Sequence, residues 1–345
     1  MTINGSHLNH TEIMELLQGA DDPDLFTSAR ETRERIFGSD VYLRGIVEFS
    51  NHCRRRCTYC GLRAENSRPQ RYRLTPQEIV DAASQAPVLG LGTVVLQSGE
   101  DTHYDKQTIG AIIRDIKERL GLAVTLSLGE RTRDELAFWR DCGADRYLLK
   151  FETSNPVLHQ DVRPGGTLCT RLGCLQTLQE LGYEAGSGII VGLPGQTVQD
   201  LACDLRLLRE LDLDMLSAGP FLPHPDTPLG GSEPGSIALT LRFMALMRLI
   251  APLGNIPASS ALEVALPEGR GMGLEAGANV IMPTITPGRV RAGYTIYPGK
   301  NAADDDVREL VISVKKTIAT AGLTPSTDRG PSPRTFQYQE ATYHG

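Results

Sequence analysis

The chain has 345 residues, 40% of them apolar, and carries a formal net charge of −7 with an isoelectric point near 5.6. That length suits one large domain or two ordinary ones, and the acidic balance argues against a duplex-binding surface, which normally shows a basic stripe. No apolar run is long enough to span a bilayer, and no basic segment followed by an apolar one opens the chain, so a cytoplasmic protein with neither membrane nor nucleic acid as partner is expected.

In chain order, two amphipathic segments come first, around residues 10–19 and 27–37. They are expected to form an N-terminal helical cap over 1–40. β-rich runs then alternate with longer helical stretches. The predicted strands are GIVEFS (45–50), TVVLQS (93–98), AVTLSL (123–128), RYLLKF (146–151), SGIIVG (187–192), MLSAGP (215–220), IPASSA (256–261) and NVIMPT (279–284). Thr75 and Thr197 are expected to cap helices, and Thr75-Pro76 with Glu78 has the pattern of a capping box. Strands that alternate with helices pair in parallel, and eight units predict an α/β fold, a (β/α)8 barrel over 41–300. An open or incomplete barrel is the alternative. A terminal helix and a tail rich in Pro, Ser, Thr and Gly, together 301–345, are expected to pack on the barrel.

In such a barrel the active site lies at the C-terminal ends of the strands. Cys53, Cys57 and Cys60 fall directly after the first strand, in EFSNHCRRRCTYCGLR. Three thiolates are an odd number for disulfides and one short of a closed zinc site. They do suit a [4Fe–4S] cluster with one iron left open. A zinc site completed by a distant residue is the alternative; His52, adjacent to Cys53, is badly placed to close a tetrahedron. The other four cysteines, Cys142, Cys169, Cys174 and Cys203, read as small buried residues.

The spacing Cys53-x3-Cys57-x2-Cys60, with Tyr59 before the last cysteine, resembles that of the radical SAM superfamily. QSGED, with Ser98, Gly99 and Glu100, is similar to the superfamily's motif for the SAM ammonium. Gly192 lies in a fifth-strand segment similar to the one that packs beside the adenine. Over 45–300, RYRLTPQEIV, VTLSLGE, ETSNPVLH, ELGYEAGSGIIVGLPGQT, GPFLPHPDTPL and YPGK resemble the HydE group of [FeFe]-hydrogenase maturases, relatives of biotin synthase and methylornithine synthase.

The resemblance implies that S-adenosylmethionine binds the open iron and is reductively cleaved to a 5′-deoxyadenosyl radical. The radical acts on a cysteine-bound iron complex. Glu152 and Arg171 are the implied polar pair for SAM, with Ser127 a further cofactor contact; Ser127 and Glu130, at the end of the third strand, are cavity candidates. Arg146, Lys150, Ser259, Ser260, Tyr294 and Tyr297 are implied to face a substrate cavity, Tyr297 with a catalytic role. His224 is either a cavity residue or a loop support; His103 and His159 are given no role.

Three departures stand out. The C-terminal region has no cysteine, so a second cluster is not expected. Lys150-Phe151 and Ser259-Ser260 stand where Arg-His and Thr-Thr are expected, which would suit a changed substrate. Expected partners are a small-molecule or organometallic substrate, other hydrogenase maturases, and an electron donor such as ferredoxin or flavodoxin. The alternative functions are a radical SAM enzyme acting on a small organic molecule, of the methylornithine-synthase type, and a non-catalytic iron–sulfur carrier.

Overall fold

The alternation of short β-branched runs with amphipathic segments folds as the pattern requires. The computed structural model describes residues 3–301 and 306–334. Its strands are β1 (Asp40–Ser50), β2 (Thr93–Ser98), β3 (Ala123–Ser127), β4 (Arg146–Leu148), β5 (Glu184–Val191), β6 (Met215–Pro220), β7 (Val280–Ile281) and β8 (Thr324–Ser326). They run in the order β6-β5-β4-β3-β2-β1-β7, with β8 beside β1, and the pairings are parallel. Helices such as Lys106–Leu120, Leu168–Glu180 and Val198–Leu211 make the crossovers.

The predicted strand at 256–261 is not a strand. Residues 255–257 form two isolated bridges, Met215 to Asn255 and Pro257 to Val280, and these link β6 to β7 across the gap. Pro257 has no N–H to give a ladder, and Ser259 already serves as N-cap of the helix Ser260–Ala265. Conversely, β8 lies in the segment read as an irregular tail. It pairs with the first residues of β1, Asp40 to Tyr42.

The core is continuous between sheet and helices. Trp139, Phe49, Tyr147, Phe151 and Phe243 are fully buried in it. The helix Ile237–Ile250 is buried over nearly its whole circumference, because the N-terminal helix Asp22–Phe37 covers its outer side. Arg242 locks the two together, its Nε and Nη2 donating to both oxygens of Asp22 at 2.7 and 2.8 Å. Thr75 and Thr197 cap their helices as predicted, each in a reciprocal capping box.

The tail closes the bottom of the barrel. Arg44 donates to Gly330 O at 3.1 Å, Thr93 to Arg329 O at 2.9 Å, and Ser332 N to Glu184 at 3.2 Å. With that end sealed, open space is left at the C-terminal ends of the strands. Residues 335–345 of the predicted tail lie outside the described residues.

Candidate active site

β1 is long and buried from Leu43 to Ser50, so it delivers the following loop straight to the barrel mouth. Cys53, Cys57 and Cys60 line one cavity of about 320 Å³. Gly99 is required for that approach: a Cβ there would stand 2.2 Å from His52 O and 2.7 Å from Cys53 Cβ. The Cys53 thiol accepts from the backbone N–H groups of Glu100 and Arg55 at 3.3 and 3.4 Å, and Cys57 Sγ lies 3.6 Å from Arg163 Nη1. Burial pushes the Cys53 and Cys60 thiols up, and the neighbouring cysteines add to this at Cys60.

These features fit an iron–sulfur cluster. Sulfur ligands on one short loop, with N–H groups aimed at a sulfur, are the donor set such a cluster takes. Among the described residues no three His, Cys, Asp or Glu side chains gather in a way that could hold a metal ion. A cubane is wider than one ion, and its thiolates stand correspondingly further apart.

A charged network surrounds the thiols. The Glu100 side chain, 3% exposed, accepts from Arg54 Nε and Arg55 Nε at 2.8 and 2.7 Å and from Glu130 N at 3.1 Å. Glu130 in turn meets Arg55, Arg163 and Arg171. Burial alone would raise the Glu100 carboxyl; the hydrogen bonds from Arg55 and Glu130 N outweigh it and hold it below the usual range. Arg171 also donates Nε to Lys150 O at 2.8 Å.

Glu152 carries backbone strain. Its φ is +69°, a region glutamate rarely adopts. Two β-type bonds impose it: Glu152 N donates to Gly188 O at 3.0 Å and Glu152 O accepts from Ile190 N at 3.1 Å. The turn aims the carboxylate into the cavity, where Tyr59 donates to it at 3.1 Å. The Glu152 Oε2 atom is buried without a hydrogen bond; the nearest counter-charge is the Lys150 ammonium at 3.3 Å.

Most of the predicted site residues converge on this cavity. Tyr59, Ser98, Gly99, Glu100, Ser127, Lys150, Glu152, Arg171, Ser259, Ser260, Tyr294 and Tyr297 all line it. Ser260 and Tyr297 share a hydroxyl–hydroxyl bond of 2.7 Å, and Ser259 Oγ is buried with no partner.

Two do not join it. Arg146 is the first residue of β4, not the last, so it lies at the closed bottom. Its Nε donates to Glu184 at 2.7 Å and its Nη1 to Thr93 at 3.1 Å. Gly192 forms a turn instead, with φ +86° and Gly235 Cα 2.4 Å from where a Cβ would be; Ile190 reaches the cavity from that strand. His224 supports its own loop, accepting from Asp226 N at 3.1 Å. Cys142 is buried as expected, whereas Cys169 is exposed and Cys174 and Cys203 are half-buried.

Sequence reasoning missed Arg55, Arg163, Lys300 and Glu48. Lys300 lines the cavity and pairs with Glu48 at 3.1 Å. A glutamate in the middle of the apolar run GIVEFS was the available signal, since a carboxylate there needs a buried partner.

A parallel barrel whose first loop presents three thiols to a chamber lined by both charged and apolar side chains defines a radical SAM protein, and the profile of the Radical SAM superfamily matches residues 47–208. The chain is 49% identical over 313 residues to the [FeFe] hydrogenase maturase subunit HydE of Thermotoga maritima, covering 91% of this chain and 90% of that one. It belongs to the HydE family of the radical SAM superfamily. It is also 30% identical over 307 residues to 3-methylornithine synthase of Methanosarcina barkeri, covering 88% and 85%. The crystal structure of methylornithine synthase (PylB) superposes with a TM-score of 0.82 at 28% identity, over 92% of this chain and 94% of that one. Membership implies a [4Fe–4S] cluster and SAM. Among the described residues no helix is long and apolar enough to cross a membrane.

Proposed function

We propose that this protein is a radical SAM enzyme of [FeFe]-hydrogenase maturation, acting on a cysteine-bound iron precursor. The observation that carries this reading is the shared chamber: Cys53, Cys57 and Cys60 line the same cavity as Lys150, Ser259, Ser260 and Tyr297. The chain has no cysteine after Cys203, so one cluster is proposed, held by those three thiolates. Cys53, Cys57 and Cys60 would hold that cluster, which when bound would supply the electron for reductive cleavage of SAM.

The protein's own part is binding, orientation and exclusion of water. Arg171, fixed by Lys150 O and Glu130, offers a planar fork for a carboxylate. Glu152 and the Ser98-Gly99 turn offer acceptors for an ammonium. Burial of Glu152 Oε2 without a hydrogen bond is the sign of a site built for a donor that arrives with the ligand. The sealed barrel bottom and the apolar wall from Ile46, Leu148, Met282 and Phe221 keep water from a reactive intermediate. Unpartnered Ser259 Oγ, the Ser260–Tyr297 pair and the Lys150 and Lys300 ammoniums form a polar wall for an anionic, oxygen- or sulfur-rich substrate.

The test is made without air. The cluster is rebuilt, reductant and SAM are added, and 5′-deoxyadenosine is measured against Cys57→Ala. Nucleoside that depends on Cys57 and rises with a cysteine-bound iron complex is the expected result. Stimulation by a basic amino acid such as lysine instead would favour the methylornithine-synthase-type reading. A cluster-free, zinc-loaded protein would refute both.

A further inference from the structure

Residues 51–73 hold seven arginines, no lysine and one carboxylate, in a chain whose net charge is −7. The fold gathers them into one shell over the thiols. Arg71 binds this shell together, donating to the carbonyls of Leu62, Arg63 and Asn66 at 3.1, 2.9 and 2.8 Å and also to that of Asn51. Ala64 N donates to Arg55 O at 2.8 Å and lays the two arms of the loop side by side. The side chains of Arg54, Arg56 and Arg68 remain 55, 65 and 79% exposed. Five carboxylates, Glu65, Glu100, Asp101, Glu130 and Asp226, approach these seven arginines, which leaves an excess of guanidiniums.

A second cavity, of about 270 Å³, opens in this shell. His52, Cys53, Arg54, Arg71 and Arg73 line it, together with the carboxylates of Glu100 and Asp101. Cys53 is therefore shared: one side faces the inner chamber, the other this outer hollow. The inner chamber must be filled by SAM and substrate. Of the three cysteines, Cys53 alone lines both spaces, so the outer hollow reaches the thiols through it.

We propose that the arginine face of residues 52–73 is the docking surface for a small acidic one-electron carrier protein, whose redox group seats against the hollow beside Cys53. This rests on the radical SAM reading above. In the step concerned, one electron leaves the reduced carrier and enters the cluster; no bond breaks and no proton moves. Guanidinium forks suit carboxylates on a partner's surface better than ammonium groups do. A patch of one sign steers a partner of the other and raises its encounter rate in a salt-dependent way. Arg56 and Arg68 are rim residues that touch neither cavity.

The test uses the cluster-loaded protein and a flavodoxin, an acidic FMN protein, as probe. Equilibrium binding and the rate of cluster reduction are measured for the parent, Arg56→Glu, Arg68→Glu and Arg68→Gln, at low and high salt. Iron and sulfide content checks that each variant keeps its cluster, and dithionite-driven SAM cleavage checks its chemistry. The expected result is a loss of about tenfold in binding and in carrier-driven reduction, smaller for Arg68→Gln, abolished by salt, with the dithionite reaction unchanged. Unchanged binding in every cluster-loaded variant would overturn the proposal. So would displacement of the flavodoxin by polyglutamate or a DNA duplex at matched charge, which would make the face a general polyanion surface. Failure of the dithionite reaction in the parent would count against the radical SAM reading itself, while carrier binding would still report on the docking face.

Discussion

The Lys300 ammonium stands 3.1 Å from the Glu48 carboxylate, and the two side chains are 5% and 0% exposed. Thr284 and Thr286 donate to the other oxygen of Glu48, and Asn301 donates to Oε1 at 3.1 Å. Burial would raise Glu48, but Lys300 and these hydrogen bonds hold it below the ordinary glutamate range; burial would lower Lys300, but Glu48 holds it above the ordinary lysine range. Breaking one half of such a pair leaves a buried charge and costs about 3–5 kcal/mol. Lys300→Met should therefore destabilise the protein by roughly that amount in urea unfolding, and Lys300→Met with Glu48→Gln should recover part of it. The signs follow from the shifts. Glu48 contributes stability above the ordinary glutamate pKa that is lost as pH falls through its depressed value. Lys300 contributes stability below the ordinary lysine pKa that is lost as pH rises through its raised one. Lys300→Met should move the acid limb of the stability curve to higher pH.

Asp204 shows the opposite case. Burial pushes its carboxyl up to about 7, against the hydrogen bonds from Ser154 that pull it down. Its Oδ1 accepts from Ser154 N, two residues beyond the strained Glu152. A raised acid is harder to ionise folded than unfolded. Its contribution is full below the ordinary aspartate pKa and drains away as pH rises toward 7. Asp204→Asn keeps an acceptor for Ser154 and removes the titration. The stability decline between about pH 4 and 7 should flatten, with the variant more stable than the parent at pH 8. An unchanged pH slope in thermal melts would count against this.

Tyr297 and Ser260 hold each other's hydroxyls at 2.7 Å within the cavity. Neither packs in the main core. Tyr297→Phe should leave the melting temperature and the SAM affinity nearly unchanged. Substrate-dependent turnover should fall about tenfold, the worth of one well-placed hydrogen bond. Ser260→Ala should give a smaller loss in the same parameter, because it frees the phenol without removing it. A matching fall in SAM affinity would show that the pair belongs to the cofactor side.

The tail can be tested by truncation. Ending the chain at residue 323 removes β8 and the Gly330 carbonyl that accepts from the buried Arg44. Burial, with the Arg146 charge beside it, already pulls Arg44 below its usual range, so a lost acceptor is felt strongly. Stability should drop by roughly 3 kcal/mol or more. Ending at residue 334 keeps both, so the difference between the two truncations isolates the plug from a general effect of shortening.

How much of this was legible in the residues divides along one line. Local spacing carried the cluster loop, because Cys53, Cys57 and Cys60 need only a short loop to reach one cavity. It also carried seven of the strands and the capping boxes at Thr75 and Thr197, which are set by neighbours a few positions away. The exact staves were less secure. The run at 256–261 is as β-like as its fellows, yet Pro257 and the helix that starts at Ser260 reduce it to bridges. The tail strand Thr324–Ser326 has no pattern of its own; only pairing with the first residues of β1 makes it one.

The sequence by itself determined the alternating barrel, the address of the site and the donor set that awaits a cluster, since periodicity and short-range spacing suffice for these. Tertiary structure alone decided which charges meet. Arg146 goes to Glu184 at the closed end, Lys300 finds Glu48 from 252 positions away, and Glu130 collects three guanidiniums from three separate segments. A buried charge must find a counter-charge, but nothing in local sequence says which one. That choice is made when distant segments pack and the dielectric around the group falls.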